Sequence, residues 1–462
     1  MNYILKISLI ILLFLIQTNT SHNHQNKPNF IIYLSDDQDI LDYGLHGNNN
    51  VETKYVDKLA SEGLSFNNFH TAQAVCAPSR SQLYTGLYPI KNGCYANHLP
   101  VRKNIKSIVY HLKKLGYEVV LSGKSHVNPP LVFKWDKFIR NINGKDIDIE
   151  KTRDYLKNVN KPFCLIVASD YPHGPFPKKT NYKSTDIQLH PYEYKVQRFK
   201  PGYYENIKKD NSQLKMIYDI ADDLKLKNNS IFIYLSDHGI SGKYGLYQKG
   251  LKIPFVIRWP GLINKNTKSD ALLTMVDVLP TLVEIAGGNT STFDGKSFLS
   301  ILKNQKNKVN DYIYGISTRQ NVRYGKVFPS RMISDGNFKL IINYNSIERY
   351  KDYLGENKYV NKFIEMGAKA FPKIPYEELY DLNTDPFEKN NLAKNPAYQE
   401  IKQKLTGSLN KWMREQQDFM LSNTMPLIKP TLHPLDKISK WNEIDKSLIN
   451  KLNQSDYISS HY

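Results

Sequence analysis

The chain has 462 residues and a formal net charge of +19, because 63 lysines and arginines stand against 44 aspartates and glutamates. This length predicts one large domain and a smaller second one. The surplus of positive charge attracts polyanions. The basic residues are spread along the chain and no nucleic-acid-binding module stands out, so nucleic acid is excluded as the expected partner.

The first segment, residues 1–21, has Lys6, then an apolar run from Ile7 to Ile16, then small polar residues. This order predicts a secretory signal peptide, which is too short to span a membrane. We therefore expect no stable membrane insertion and an exported protein, periplasmic or secreted. For such a protein, a sulfated or uronic-acid polysaccharide is a better candidate polyanion than nucleic acid.

Four apolar runs end abruptly in polar residues. The runs cover residues 30–34, 117–121, 163–168 and 231–235, and they lead respectively into Asp36 and Asp37, into Lys124 and His126, into His173, and into Asp237 and His238. Continuous apolar runs predict strands that are buried on both faces of a parallel sheet. Because ligands bind beyond the carboxyl ends of such strands, we expect the four polar clusters to meet at one site.

Helical segments over residues 53–62 and 107–115 lie between these runs, and the alternation predicts an α/β fold with a large, mostly parallel sheet flanked by helices. The segment over residues 192–212 is rich in Lys, Tyr and Asn. We expect it to form a loop near the mouth of the site.

The stretch Cys76-Ala77-Pro78-Ser79-Arg80 predicts the start of a helix. Pro78 suits a first helical turn, and Gly86 suits the end of the helix. Cys76 would then lie at a helix N-terminus, where free N–H groups and the helix dipole favour an anion. Arg80, one turn further, can add a charged contact.

This stretch, with Thr85 and Gly86, resembles the signature of type I, formylglycine-dependent sulfatases of the alkaline phosphatase superfamily. The resemblance implies that Cys76 is converted to formylglycine by a formylglycine-generating or anaerobic sulfatase-maturating enzyme. It also implies that the hydrated aldehyde is the nucleophile that attacks sulfur. The alternative for Cys76, a buried structural cysteine before an ordinary helix, is disfavoured because several positions match the family signature together.

The resemblance extends along nearly all of the mature chain. It implies an alkaline phosphatase-like catalytic domain over residues 22–309 and a smaller C-terminal α+β subdomain with an antiparallel sheet over residues 310–462. The stretch over residues 378–392 resembles the family's C-terminal signature. Within the family, the stretch that begins at Arg331 looks most like the heparan N-sulfatase (sulfamidase) branch and its bacterial carbohydrate sulfatases.

Asp36, Asp37 and Asp237 are hard oxygen ligands that would repel one another unless a cation lay among them, and Ca²⁺ suits such a set. The resemblance implies that these residues and the modified Cys76 hold one divalent ion. His238 stands where many family members carry Asn, and imidazole is a poorer calcium ligand than an amide oxygen. Two roles stay open for His238: a metal ligand, or a hydrogen-bond partner of the nucleophile or the sulfate.

Cleavage of a sulfate ester needs cations around the sulfate oxygens and a proton donor for the leaving group. The resemblance assigns Lys124, Lys243 and Arg80 to the first task, and His173 or His126 to the second. We expect His126 also to act as a base, because the pKa of a histidine lies near working pH.

The segment that ends at His98 looks like the family segment that carries a substrate-binding histidine. We expect an exported carbohydrate sulfatase that acts on an algal polysaccharide such as ulvan, or on a glycosaminoglycan. Two alternatives stay open: a phosphonate or phosphate monoester hydrolase of the same superfamily, and a non-catalytic polyanion-binding protein. The sequence leaves undecided whether Cys94 and Cys164 pair, although the apolar run around Cys164 favours a buried thiol.

Overall fold

The computed structural model describes residues 27–142, 144–319, 328–344, 346, 348 and 374–422. The predicted signal peptide over residues 1–21 lies outside the described residues. Of the expected C-terminal subdomain over residues 310–462, the structure describes the part that ends at residue 422.

An eight-stranded sheet forms the centre of the fold, in the order β5-β4-β6-β1-β7-β8-β2-β9. Its strands are β1 (Asn29–Asp36), β2 (Leu64–Phe66), β4 (Glu118–Gly123), β5 (Lys137–Ile139), β6 (Phe163–Pro172), β7 (Ser230–Ser236), β8 (Phe255–Arg258) and β9 (Thr267–Ser269). All neighbouring pairs are parallel except β7 with β8 and β8 with β2. A separate parallel pair is formed by β3 (Phe69–His70) and β10 (Leu273–Thr274).

The sequence of strand β1 is continuously apolar because both faces of the strand are buried. Successive side chains of a strand point to opposite faces of the sheet. Phe30, Ile32 and Leu34 pack in the core on one face, and Ile31 and Tyr33 pack in the core on the other. Because both faces are covered by helices, every position of the strand is buried, as the sequence predicts.

The helices lie on both faces of this sheet. They are α1 (Lys54–Ser61), α2 (Cys76–Thr85), α3 (Pro89–Asn92), α4 (Ile108–Lys114), α5 (Ile149–Asn158), α6 (Lys200–Asp223), α7 (Gln248–Leu251), α8 (Val278–Ile285), α9 (Leu299–Leu302) and α10 (Gln399–Glu415). Helices α2, α4 and α8 share the core of Phe30, whereas α1, α5 and α6 share the core of Tyr33. The expected α/β fold is confirmed. No helix within the described residues is both long enough and apolar enough to cross a membrane.

An antiparallel sheet follows the large sheet in the chain, in the order β11-β12-β13-β14. Its strands are β11 (Ile313–Ser317), β12 (Ser330–Ser334), β13 (Phe338–Asn343) and β14 (Glu377–Asp381). It packs with α10 in a core that also takes in Ala72, Tyr88 and Val276 from the larger part of the chain. The expected small antiparallel sheet is therefore confirmed, and it is fixed to the larger part through apolar contacts.

The loop predicted over residues 192–212 is wrong from residue 200 onward, where α6 (Lys200–Asp223) begins. Proline is tolerated in the first turn of a helix, which is where Pro201 lies. The buried face of α6 includes Tyr203, Tyr204 and Asn211 in its first half. These polar or amphipathic residues conceal the helical pattern that aliphatic residues would have shown.

Candidate active site

The cysteine stretch folds as the sequence predicts. Helix α2 (Cys76–Thr85) begins at Cys76 after an extended Val75, and Gly86 ends it with a φ of 64° in the left-handed region that favours glycine. All ten residues of the helix are buried. The N-terminus of α2 therefore presents position 76 to the carboxyl ends of the central strands.

Three charged or ionisable side chains surround the sulfur of Cys76. Its Sγ lies 3.4 Å from Nε2 of His238, 3.5 Å from Nζ of Lys243 and 3.9 Å from Oδ1 of Asp37. Burial raises the pKa of the Cys76 thiol, but the positive charges of Lys243 and Lys124 together lower it more, and the pKa falls to about 7. The surroundings of position 76 thus favour a negatively charged atom.

The first and seventh strands place their acidic residues side by side. Ser35 of β1 pairs with Ser236 of β7, so the aspartates that follow them in the two chain segments emerge together. Oδ1 of Asp237 accepts hydrogen bonds of 2.9 Å from the backbone N–H groups of both Asp37 and His238. Asp37 has a φ of 67°, a left-handed conformation that Asp tolerates better than most residues.

Arg80 is fully buried between two of these carboxylates. Its Nη2 donates to Oδ1 of Asp36 and its Nε donates to Oδ2 of Asp237, both at 3.2 Å, and its Nη1 donates to the carbonyl oxygen of Lys124. The expectation that Arg80 surrounds the sulfate stays a prediction. Arg80 faces the carboxylates and is placed to position them.

Lys124 and Lys243 each pair with one aspartate and stay partly accessible. The ammonium group of Lys124 contacts Asp36 and lies 3.6 Å from Asp170, and Nζ of Lys243 lies 2.8 Å from Oδ2 of Asp37. Their side chains are 14% and 22% exposed. Burial lowers the pKa of Lys124, but Asp36, Cys76 and Asp170 together raise it more, so this lysine stays charged.

His126 and His98 form a pair of rings. Nε2 of His126 lies 2.8 Å from Nδ1 of His98, and Nδ1 of His126 is buried without a hydrogen-bond partner among the described residues. Burial, then Lys124 and Arg80, lower the pKa of His126 to about 3. In the protein without substrate, burial and the two nearby cations therefore hold this pKa below working pH, and the role of His126 as a base stays a prediction.

His173 lies at the edge of the cluster with its side chain 39% exposed. Its Nδ1 lies 2.7 Å from the carbonyl oxygen of Gly174, and its Nε2 lies 3.7 Å from Oδ2 of Asp37. Since a carbonyl can only accept, Nδ1 carries a proton and donates it to Gly174. Nε2 is the ring atom that faces the cluster.

The donor set fits a hard divalent cation. Ligand atoms of Asp37, Cys76 and His238 lie within 4.8 Å of one another, as do those of Asp36, Cys76 and Asp237. Burial and the charge of Asp36 raise the pKa of Asp237 to about 7, although His238 and Arg80 act in the opposite direction. The cations of the protein therefore do not fully compensate the negative charge of Asp237. A bound divalent cation would supply the missing positive charge.

His238 is completely buried, and its Nε2 lies 3.0 Å from Oδ1 of Asp37. Its Nδ1 lies 3.2 Å from the carbonyl oxygen of Gly239 and donates to it. Burial lowers the pKa of His238, but Asp237 and Asp37 raise it more, to well above its usual value. Both roles left open by the sequence are compatible with a ring nitrogen that faces Asp37 and Cys76.

A second acidic cluster, which the sequence reasoning missed, supports the loop after β1. Nζ of Lys200 lies 3.2 Å from Oδ2 of Asp39 and 3.1 Å from Oδ2 of Asp42, and Nε2 of His190 lies 2.9 Å from Oδ1 of Asp42. All four side chains are fully buried. Asp39 and Asp42 could have indicated this cluster in the sequence, but their partners lie about 150 residues further along the chain.

Among the described residues, Cys76, Cys94 and Cys164 are all free and buried. The preferred assignment of Cys164 as a buried thiol is confirmed, and Cys94 does not pair with it. Burial raises the pKa of Cys94 to about 12, so this thiol is unreactive at neutral pH.

Comparison with known proteins shows the family of the chain. The family model described as "Sulfatase" matches residues 28–288, and the model described as "N-sulphoglucosamine sulphohydrolase, C-terminal" matches residues 236–365. An "Ulvan-active sulfatase" of Formosa agariphila is 46% identical over 449 residues, which cover 94% of this chain and 90% of that protein. The human "N-sulphoglucosamine sulphohydrolase" is 25% identical over 84% of this chain and 90% of its own length.

Solved structures share the fold at lower sequence identity. A protein in complex with its substrate D-glucosamine-2-N,6-O-disulfate superposes with a TM-score of 0.68 at 18% identity, over 85% of this chain and 99% of that chain. The phosphonate monoester hydrolase of Agrobacterium radiobacter superposes with a TM-score of 0.69 at 17% identity, over 88% of this chain and 100% of that chain. Both similarities concern the fold alone.

Proposed function

The chain belongs to the sulfatase family, as a type I sulfatase of the alkaline phosphatase superfamily. We propose that it removes sulfate groups from a sulfated polysaccharide or its oligosaccharides. We take ulvan as the first candidate substrate. The observation that carries this choice is the 46% identity, over 94% of the chain, to a relative named for its activity on ulvan. The glycosaminoglycan alternative has weaker support, from a relative at 25% identity.

We propose that Cys76 is converted to formylglycine by a maturation enzyme. The position supports this role because it combines a helix N-terminus, a buried location and the ammonium group of Lys243 at 3.5 Å from Sγ. When formed, the hydrated aldehyde supplies an oxygen nucleophile at position 76. Lys243 then stabilises negative charge on the atom that occupies the place of Sγ.

We propose that Asp36, Asp37, Asp237 and position 76 hold one Ca²⁺ ion, with His238 beside them. The three carboxylates are at most 2% exposed and offer hard oxygen ligands. When bound, the ion supplies positive charge that stabilises the nucleophile and the sulfate oxygens. Arg80 keeps Asp36 and Asp237 in position, because it donates one hydrogen bond to each of them.

We assign binding of the sulfate oxygens to Lys124 and Lys243. Both ammonium groups lie at the boundary between the buried carboxylates and the accessible part of the site. Each lysine can therefore turn one of its three N–H donors toward an anion while it keeps an aspartate as partner. Interactions of this kind stabilise the charge that moves onto the sulfate oxygens in the transition state.

We assign the leaving-group proton to Nε2 of His173. Its Nδ1 is held by Gly174, so the ring orientation is fixed, and its partial exposure keeps the ring accessible to a leaving oxygen. We assign proton acceptance to His126. A bound sulfate anion offsets the positive charge of Lys124 and Arg80, so the pKa of His126 rises when substrate is present.

We retain export and a domain boundary near residue 310 as parts of the proposal. Residues 1–21 support export by their composition. The start of the antiparallel sheet at Ile313 supports the boundary.

Sulfate release from defined ulvan and glycosaminoglycan oligosaccharides, measured beside phosphate release from matched monoesters, tests the proposed function. We expect sulfate release from ulvan oligosaccharides to exceed that from glycosaminoglycans. Faster cleavage of phosphate or phosphonate esters that share the leaving group would contradict the sulfatase activity. Binding of the polymers without any release would indicate a non-catalytic protein.

A further inference from the structure

A cleft of about 970 Å³ lies outside the catalytic cluster, between the loop after β1, helix α7 and the turns of the antiparallel sheet. We call it the tyrosine–lysine cleft, and we define it by His46, Tyr192, Tyr247, Lys249 and Lys252, which line it. Its volume is in the range of ligand pockets. Among the described residues that line it, none is a predicted catalytic, metal or substrate-binding residue.

Lys252 carries the argument for an anionic ligand. It is partly buried, and among the described residues its ammonium group has neither a hydrogen bond nor an ion pair. Burial lowers its pKa below the usual value, and the carboxylate of Asp270 offsets this only in part. A lysine charge that is partly withdrawn from water without a hydrogen-bonded partner is costly, and an anion in the cleft would reduce that cost.

His46 shows the same deficit of partners. Its Nε2 is buried and has no hydrogen-bond partner among the described residues. Burial, then the charges of Lys252 and Lys268, lower the pKa of His46 to about 4. The imidazole is therefore neutral at pH 7, and it can exchange a hydrogen bond with a hydroxyl group of a ligand.

The acidic residue in the lining does not neutralise these lysines. Both carboxylate oxygens of Glu388 are used: Oε1 accepts from Lys339 at 2.6 Å, and Oε2 accepts from the backbone N–H of Gln248 at 2.6 Å. Lys249 and Lys389 also line the cleft, and neither forms an ion pair within the described part of the chain. The cleft thus carries net positive charge.

Aromatic rings provide the other half of the surface. Nζ of Lys249 lies 5.2 Å from the ring centroid of Tyr192 and 5.9 Å from that of Tyr247. The hydroxyl of Tyr247 is held by Glu378, and that of Tyr192 by His190, so both rings are fixed in orientation. Fixed rings beside lysines offer an apolar face for a sugar ring and a cation for its acidic substituent.

We propose that the tyrosine–lysine cleft is a second binding site, which holds an anionic sugar of the polysaccharide while another part of the same polymer occupies the catalytic cluster. The proposal rests on the proposed function for the identity of the polymer. Tyr247 of the cleft lies four positions after Lys243 of the cluster, so their Cα atoms lie at most about 14 Å apart. One polymer can therefore contact both sites.

The test uses the full-length matured enzyme and two charge-matched double variants. Lys249→Met/Lys252→Met removes two charges from the cleft and keeps the aliphatic stems. Lys303→Met/Lys306→Met removes two charges from an exposed surface elsewhere. Affinity electrophoresis in gels that contain dextran sulfate or neutral dextran measures polymer binding, and thermal unfolding without polymer checks the fold.

We expect dextran sulfate to retard the wild type and the Lys303/Lys306 variant alike, and the cleft variant severalfold less. Neutral dextran should retard all three far less. With a sulfated polymer that the enzyme cleaves, the cleft variant should show a severalfold higher KM and an unchanged kcat, with unchanged turnover of a small aryl sulfate. Its melting temperature should change little, because neither lysine forms an ion pair or a hydrogen bond with a described residue and only the contacts of Lys249 with two tyrosine rings are lost.

Equal retardation of the two double variants by dextran sulfate would overturn the second site, even if the enzyme releases sulfate from ulvan. Stronger retardation by neutral dextran would overturn its anion preference. If the wild type is retarded more than the cleft variant while no sulfated polymer is cleaved, the second site stands and the proposed function fails. The two failures are therefore distinguishable.

Discussion

Nε2 of His126 lies 2.8 Å from Nδ1 of His98, so one of the two rings donates a hydrogen bond to the other. His126 follows the end of β4, and His98 lies in the segment after α3. The contact joins the proposed proton acceptor to the residue that the sequence assigned to the sugar. The two functions are therefore not independent.

We predict that His98→Ala lowers kcat/KM for a small aryl sulfate as well as for an oligosaccharide. The substitution leaves Nε2 of partly buried His126 without its partner, which costs about 1 to 3 kcal/mol, or about fivefold to about 150-fold in rate. Steady-state kinetics on both substrates checks this, with His98→Asn as the matched variant that keeps a polar side chain. A loss confined to the oligosaccharide would show that His98 acts on the sugar alone.

Cys76 should carry an aldehyde in active enzyme, because a thiol cannot form the two-hydroxyl hydrate that sulfatase chemistry uses. Peptide mass spectrometry of active protein should find formylglycine at position 76. Cys76→Ala should bind sulfated substrate but release no sulfate. Full turnover by protein that retains the thiol would contradict the proposal.

Replacing Asp237 with Asn should reduce bound metal and activity together. The variant keeps the shape of the side chain but removes one of the three buried carboxylates, so the charge that attracts a cation falls. Elemental analysis and turnover after chelation measure the two effects. Asp170→Asn is the matched control, because Asp170 lies 3.6 Å from Lys124 outside both groups of ligand atoms. An Asp237→Asn variant with full metal content would count against the site.

The buried ion pair of Arg331 and Asp418 should stabilise the C-terminal part of the fold. Nη2 of Arg331 donates to Oδ1 of Asp418 at 2.7 Å, and both side chains are fully buried. Arg331→Met should lower the free energy of unfolding by about 3 to 5 kcal/mol, because it leaves a buried charge unpaired. The double variant Arg331→Met/Asp418→Asn should lose less. Urea unfolding checks both, and equal losses would show that the unpaired charge is not the cause.

Asp210 should make stability depend on pH. Burial raises the pKa of this carboxyl from 3.8 to about 7, although Ser169 and Tyr33 hydrogen-bond to it. The folded state then holds a proton that the unfolded state has lost, so the free energy of unfolding falls as pH rises from 3.8 to about 7. At 1.36 kcal/mol per pH unit, the loss reaches at most roughly 4 kcal/mol.

Asp210→Asn should remove this pH dependence and keep an acceptor for the hydroxyl of Tyr33, which lies 2.8 Å from Oδ1. Urea unfolding at pH 5 and pH 8 compares the two proteins. We expect the variant to be more stable than the wild type at pH 8, with a smaller difference at pH 5. Parallel pH profiles would show that Asp210 is charged in the folded state.

Local and periodic features of the fold could be predicted from the sequence. A strand buried on both faces must be apolar at every position, so β1, β4, β6 and β7 were visible as runs, and their polar ends indicated a shared site. A helix that starts at Cys76 needs only proline in its first turn and glycine at its end. Helix α6 was missed because its buried face uses tyrosine, asparagine and Lys200, whose burial depends on partners far away in the chain.

Side-chain partners were decided by the tertiary structure alone. The sequence shows that Arg80 lies one turn into a helix, but only the packing of α2 against β1 and β7 turns its guanidinium to Asp36 and Asp237. The low pKa of His126 likewise arises from burial and from Lys124 and Arg80. A motif determines which residues are present, whereas hydrogen-bond direction and charge depend on distances of a few ångströms between segments that are remote in the chain.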